Sequence, residues 1–224
     1  AVGEALVVHG LVKGRAELLG RVAHLFELVG LDPALVSRFP HEFSGGQRQR
    51  IGIARAIACE PRFLVADEPV SALDPPVQAQ IVNLLVGLQE RLGMAYLLIA
   101  HDLHLVRRIA DRVAVMYLGR IVEQGPTQAI FEAAQHPYTR ALILARPDVD
   151  ADGPPRLMLT GEIPSATAPP AGCAFHPRCW LREQLGRPQE CQTTVPTIDP
   201  GRGTPAACHF AVQTSERFEQ EVSA

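Results

Sequence analysis

Three short runs carry residue types that could handle a phosphorylated substrate. Ser44-Gly45-Gly46-Gln47 stands at the start of a helical run, where a hydroxyl, flexible glycine backbone and free helix N–H groups could face an anion such as a phosphate. The same four residues also read as an ordinary Ser N-cap with glycines in its turn. Downstream, the apolar run Phe63-Leu64-Val65-Ala66 closes on Asp67-Glu68. That arrangement suits a carboxylate that organises Mg²⁺, followed by one that positions or deprotonates an attacking water. By itself, an apolar run ending in two acids is more often a solvated strand end. The run Tyr96 to Ala100 ends in His101-Asp102, so that His101 could contact a γ-phosphate. A single histidine is usually structural. Ser71-Ala72-Leu73-Asp74 lies just beyond the acid pair and reads either as part of the same apparatus or as a capping turn.

A second chemistry is concentrated near the end of the chain. Four of the five cysteines, Cys173, Cys179, Cys191 and Cys208, lie in its last quarter. Four thiols can bind Zn²⁺ tetrahedrally or carry a [4Fe-4S] cluster. The spacing lacks the tight C-x-x-C pairs of zinc ribbons. Unligated or disulfide-bonded cysteines are the third reading. His176 could substitute as a ligand but more simply packs or faces solvent, and Cys59 is expected to be a small buried core residue.

The elements that must position these groups follow from periodicity. Apolar residues at helical spacing from Glu17 to Val29, with Gly30 as a stop, predict an amphipathic helix. A second helical run follows Gln47, so residues 1–60 read as mostly helical. Phe63 to Ala66 suits a strand buried on both faces. A helix is expected over about 76–92, a strand over Tyr96–Ala100, a helix over 103–110, and then a hairpin of Val113–Tyr117 and Arg120–Gly125 turning at Leu118-Gly119. Strand, helix, strand, helix, strand is the pattern of a parallel α/β sheet. In such sheets ligands sit at the carboxyl ends of the strands, where Asp67, Glu68 and His101 fall. Segments rich in Pro, Gly and Asp (Asp148–Pro155 and Pro164–Gly172) suggest a linker and a small cysteine-held appendage. The expected division is 1–60, 61–146 and 147–224.

Composition narrows the classes of function. A net charge of -3 and a pI near 6.3 give no broad basic surface, so a nucleic-acid partner is not expected. Apolar runs such as Ala95–Ala100 fall far short of the roughly 20 residues of a membrane helix. With 47% hydrophobic residues and a mean hydropathy of +0.07, the chain is slightly apolar, which favours an additional buried interface.

The ordered set resembles the ABC ATPase family. Phe43-Ser44-Gly45-Gly46-Gln47 is similar to the family signature, with Phe43 where leucine is commonest. Phe63 to Asp67 resembles the Walker B strand, Glu68 the catalytic glutamate, Ser71 to Asp74 the D-loop and His101 the switch histidine. His136-Pro137-Tyr138-Thr139-Arg140 and Gly172-Cys173 to Cys179 resemble the C-terminal extension of the dipeptide, oligopeptide and nickel importers. The resemblance implies a P-loop α/β domain fragment with a helical subdomain and a Cys-rich appendage. It implies ATP and Mg²⁺ as cofactors, with Mg²⁺ at Asp67, catalysis by Glu68 and His101, and nucleotide contacts from Ser44, Gly45, Gly46, Gln47 and Asp74. For Cys173, Cys179, Cys191 and Cys208 it favours a [4Fe-4S] cluster over Zn²⁺.

The implied partners are a second ATPase subunit, transmembrane permease subunits and, indirectly, a solute-binding protein, with the chain peripheral to the cytoplasmic side of the inner membrane. No G-x-x-x-x-G-K-[ST] phosphate loop occurs. Family order places it upstream of Ala1, so the chain alone is expected neither to bind ATP tightly nor to hydrolyse it. Two other classes stay open: a soluble ABC protein of ribosomes or DNA repair, and a non-catalytic iron-sulfur or zinc regulatory module.

Overall fold

The computed structural model describes residues 1–145, 159–198 and 206–214. The linker expected at Asp148–Pro155 lies outside them. The chain divides into two compact units, Ala1–Ile109 and Ala110–Ala224.

In the first unit, helices α1 (Val2–Val8), α2 (Arg15–Leu28) and α3 (Gly45–Ile57) precede strand β1 (Phe63–Asp67), helix α4 (Pro75–Leu92), strand β2 (Ala95–Ile99) and helix α5 (Leu103–Ile109). Helix α2 covers the expected amphipathic segment and stops where foreseen, because Gly30 takes φ +71, a conformation glycine adopts at no steric cost. Helix α4 ends the same way at Gly93, φ +62. One apolar core joins these elements, with Leu6, Phe26, Val29, Phe43, Ile57, Ile81, Leu85 and Leu88 all buried.

Strands β1 and β2 pair in parallel, Phe63 opposite Ala95 and Asp67 opposite Ile99. Their burial corrects the sequence reading. Tyr96 and Leu98 pack on the core and Leu64 is partly buried, whereas Phe63, Val65, Leu97 and Ile99 are about half exposed. The cause is the two-residue strand period: the helices of this unit cover one face of the pair and leave the other open. Cys59 is a second correction. It is exposed, because Ile53, Ala54, Ile57 and Ala58 occupy the buried stripe of α3 and its end.

The second unit opens with strands β3 (Arg112–Tyr117) and β4 (Arg120–Pro126), then helices α6 (Thr127–Ala133), α7 (Pro137–Leu144), α8 (Trp180–Gln184) and α9 (Glu190–Thr193). The hairpin forms as expected, and Leu118 (φ +45) and Gly119 (φ +75) give both central turn residues the positive φ of a type I′ turn. The third strand does not extend the parallel sheet. Among the described residues β3 pairs only with β4, since a tight turn satisfies its ladder from the adjacent segment. Tyr117, Val122, Ile130 and Phe175 form the core of this unit, where Phe175 meets the Tyr117 and Tyr138 rings at 5.3 and 5.4 Å.

Candidate functional site

In the first unit Glu68 and His101 come together, with Asp67 next to Glu68 in the chain. Strands β1 and β2 are parallel and in register, so the residues just past their carboxyl ends emerge side by side. There His101 Nδ1 lies 3.2 Å from Glu68 Oε1, and both side chains are open to solvent. Glu68 takes φ +44, a left-handed conformation that costs a non-glycine residue of order 1–3 kcal/mol and clusters at functional sites. Its backbone is held from both directions: Glu68 N donates to Ile99 O at 2.9 Å, and Ser71 Oγ donates to Glu68 O at 3.2 Å. The strained turn lifts the Glu68 carboxylate off the strand and aims it at His101. Asp67, the last residue of β1, is exposed beside it.

Ser44 caps α3 in a reciprocal box. Gln47 N donates to Ser44 Oγ at 3.3 Å, and Ser44 N donates to Gln47 Oε1 at 2.9 Å. The capping reading is therefore realised, and Ser44 and Gly45 at the start of α3 are exposed. Gly46 has a packing role as well: a Cβ built there would meet Val77 Cγ1 at 2.7 Å, so the start of α3 sits directly on the start of α4. Asp74 is the N-cap residue of α4, yet its carboxylate makes no cap bond. Gln78 supplies the turn instead, donating from Nε2 to Leu73 O and Val70 O. Sequence reasoning missed Gln78, and no local signal singled it out.

In the second unit Cys173, Cys179, Cys191 and Cys208 line one small cavity of about 10 Å³ together with His136, Phe175 and Arg182. Gly172, at φ +69, permits this: a Cβ there would lie 2.6 Å from Cys191 O, and Cys173 N donates to that same carbonyl at 2.9 Å. Phe210 N donates to Cys208 Sγ at 3.4 Å. The N–H groups of Phe175 and His176 near Cys173, and of Leu181 and Arg182 near Cys179, hold those thiols' pKa values below where burial alone would put them. Burial, and then the neighbouring thiols, push Cys179 and Cys208 up to about 12. Among the described residues no three His, Cys, Asp or Glu side chains are placed to hold one metal ion as they stand. His176 does not line the cavity; its Nδ1 lies 2.9 Å from Cys173 O.

The His136-Pro137-Tyr138 segment supports this region. His136 is fully buried, accepts at Nδ1 from Tyr138 N at 3.1 Å, and is held neutral by burial, with its pKa pushed down to about 3. Glu123, buried in β4, accepts from the backbone N–H groups of Gln135 and His136, and burial raises its pKa. Trp180 Nε1 donates to Pro137 O at 3.0 Å. Glu123 was not foreseen; a lone acid inside the apolar stretch Ile121-Val122-Glu123 was its only signal.

Residues 11–71 match the family model described as ABC transporter, and residues 122–185 match the oligopeptide/dipeptide transporter C-terminal region. The dipeptide transport ATP-binding protein DppF of Haemophilus influenzae is 51% identical over 197 residues, covering 88% of this chain and 58% of that protein. The chain belongs to the ABC ATPase family. The first match contains Ser44 to Gln47, Asp67 and Glu68, and the second contains Cys173 and Cys179. A Brucella ovis protein whose name describes peptide import and ATP binding is 50% identical over 201 residues, 88% of this chain and 62% of that one. The chain thus spans about 60% of the length of these curated relatives. Among solved structures, cbiO1 of Clostridium perfringens, part of an ABC transporter complex, superposes with a TM-score of 0.52 at 32% identity, over 58% of this chain and 51% of that one. The ABC ATPase assignment accounts for the mixed α/β fold. Among the described residues no helix is long and apolar enough to cross a membrane.

Proposed function

We propose that this chain is part of the ATP-hydrolysing subunit that powers import of peptides or a related small solute. The Glu68–His101 pair at the ends of two parallel strands carries the reading. Glu68 Oε1 takes the proton of the attacking water, and the His101 imidazole holds that carboxylate and reaches the γ-phosphate. Asp67 is an exposed hard-oxygen donor beside them and fits Mg²⁺, which prefers carboxylate and phosphate oxygens. When bound, Mg²⁺ neutralises charge that develops on the transferring phosphoryl group. Ser44, Gly45, Gly46 and Gln47 offer a hydroxyl and backbone N–H groups to phosphates held by a second ATPase subunit, and Asp74 communicates between the two. Transmembrane permease subunits dock on the helical residues 1–60, which places the chain peripherally at the cytoplasmic face of the inner membrane. A solute-binding protein acts through the permease.

The appendage adds a metal centre held by Cys173, Cys179, Cys191 and Cys208. Four thiols line one cavity, and four thiolates are a ligand set for either occupant, with the side chains drawing together from where they stand to hold it. A [4Fe-4S] cluster is the favoured occupant and Zn²⁺ the alternative; the 10 Å³ cavity must widen for the cluster.

Reconstitution of the full-length subunit with its permease in proteoliposomes tests the import reading. ATP-driven uptake of a labelled dipeptide is expected. ATP hydrolysis with no uptake of any di- or oligopeptide would overturn the substrate class.

A further inference from the structure

Arg182 is 7% exposed and lines the same cavity as the four cysteines. Among the described residues its Nε–H has no hydrogen-bond acceptor. Among the described residues its carboxylate partner is Glu183, which is half exposed, stands 3.6 Å from Nη1, and makes a closer 2.7 Å contact with Arg187. A guanidinium cannot shed its proton, so a buried one with an unfilled N–H and a half-exposed, shared partner is stabilised by a further acceptor or anion on that side. Arg178 also has an orphaned Nε, but it is only partly buried and does not line the cavity. Among the described residues the unfilled Arg182 Nε–H is thus the orphaned guanidinium donor that lines the cysteine cavity.

We propose that Arg182 is the charge partner of an anionic four-thiolate centre, with its Nε–H directed at that centre. The proposal rests on the reading that Cys173, Cys179, Cys191 and Cys208 ligate metal, and it adds a positioning residue to them. Both candidate occupants share the required chemistry. Zn²⁺ with four thiolates carries a net charge of about minus two, as does an oxidised [4Fe-4S] core with four thiolates. Backbone N–H groups from Phe175, His176, Leu181, Arg182 and Phe210 supply partial positive charge around the sulfurs. Arg182 supplies a full one. An outer partner of this kind orients ligands and raises retention of the metal, and its loss typically costs 10–100-fold in affinity.

The test uses the full-length subunit purified anaerobically as wild type, Arg182→Met and Arg182→Lys. Iron, sulfide and zinc are counted per chain, and release of metal to bathophenanthroline (iron) or 4-(2-pyridylazo)resorcinol (zinc) is timed. Arg182→Met keeps the apolar stem but removes the charge, and it should release metal about 10–100-fold faster. Arg182→Lys should recover most of that loss, which a purely packing role would not give. Wild-type release kinetics in Arg182→Met, with metal present at one centre per chain, would overturn this proposal and leave the ligand set standing. A wild type without stoichiometric metal would overturn the ligand set and the proposal together. Should Arg182→Met not fold, the wild type decides: the Arg182 Nε–H resonance should shift and resist exchange in the zinc-loaded protein relative to the chelated one, and an unchanged resonance would overturn the proposal.

Discussion

Glu68 Oε1 and His101 Nδ1 stand 3.2 Å apart although 33 residues separate them in the chain. Parallel, in-register pairing of β1 and β2 places both just past the same sheet edge, and the left-handed turn at Glu68 sets the carboxylate against the imidazole. A pair assembled by two different strands is a positioned pair, and its members should fail in different ways.

His101→Ala removes the partner that holds the Glu68 carboxylate but leaves the carboxylate itself. In the full-length subunit kcat should fall well below wild type while KM for ATP changes little, since the phosphates are gripped elsewhere. An unchanged kcat would separate His101 from the reaction.

Gly46→Ala tests the seat of α3 on α4. In an open helix this change would add about 0.5–1 kcal/mol of stability. Here the new Cβ meets Val77 Cγ1 at 2.7 Å, and valine is stiff about its Cα–Cβ bond. Overpacking of this kind costs about 1–3 kcal/mol, so the clash decides the sign and the melting temperature should drop. Adding Val77→Ala should restore part of it. A more stable single variant would refute the contact.

Gly172→Ala tests how the cysteine cavity is held. The left-handed φ alone costs alanine about 1–2 kcal/mol, and the Cβ would press on the Cys191 carbonyl at 2.6 Å, backbone that cannot swing aside. Cys173 should then part from Cys191, lowering both the stability of this region and the metal retained per chain. Wild-type metal content and melting would contradict the arrangement.

Much of the fold was legible because its signals are local. The apolar period of α2, the stop at Gly30, the hairpin turn at Leu118-Gly119 and the chain order of β1, α4 and β2 all lie in short stretches of sequence. The Ser44–Gln47 cap was equally plain. The misses depend on what packs against what. Whether β1 is covered on one face or two cannot be seen in Phe63-Leu64-Val65-Ala66, and the exposure of Cys59 turns on where the buried stripe of α3 runs out. Among the described residues β3 pairs with β4 alone, which is likewise a choice between partners, not a property of β3. Spacing gathered the four cysteines into one region; only the folded chain adds buried Arg182 to their cavity.

Turnover of the full-length transporter carrying Glu68→Gln tests the central claim most directly. Glutamine keeps the shape of the side chain but cannot take a proton, and loss of a general base typically costs 10²–10⁴-fold. ATPase activity should fall by about that factor while ATP is still bound. Hydrolysis at the wild-type rate would contradict the assignment of Glu68, and with it the account of the β1 and β2 ends as the catalytic edge.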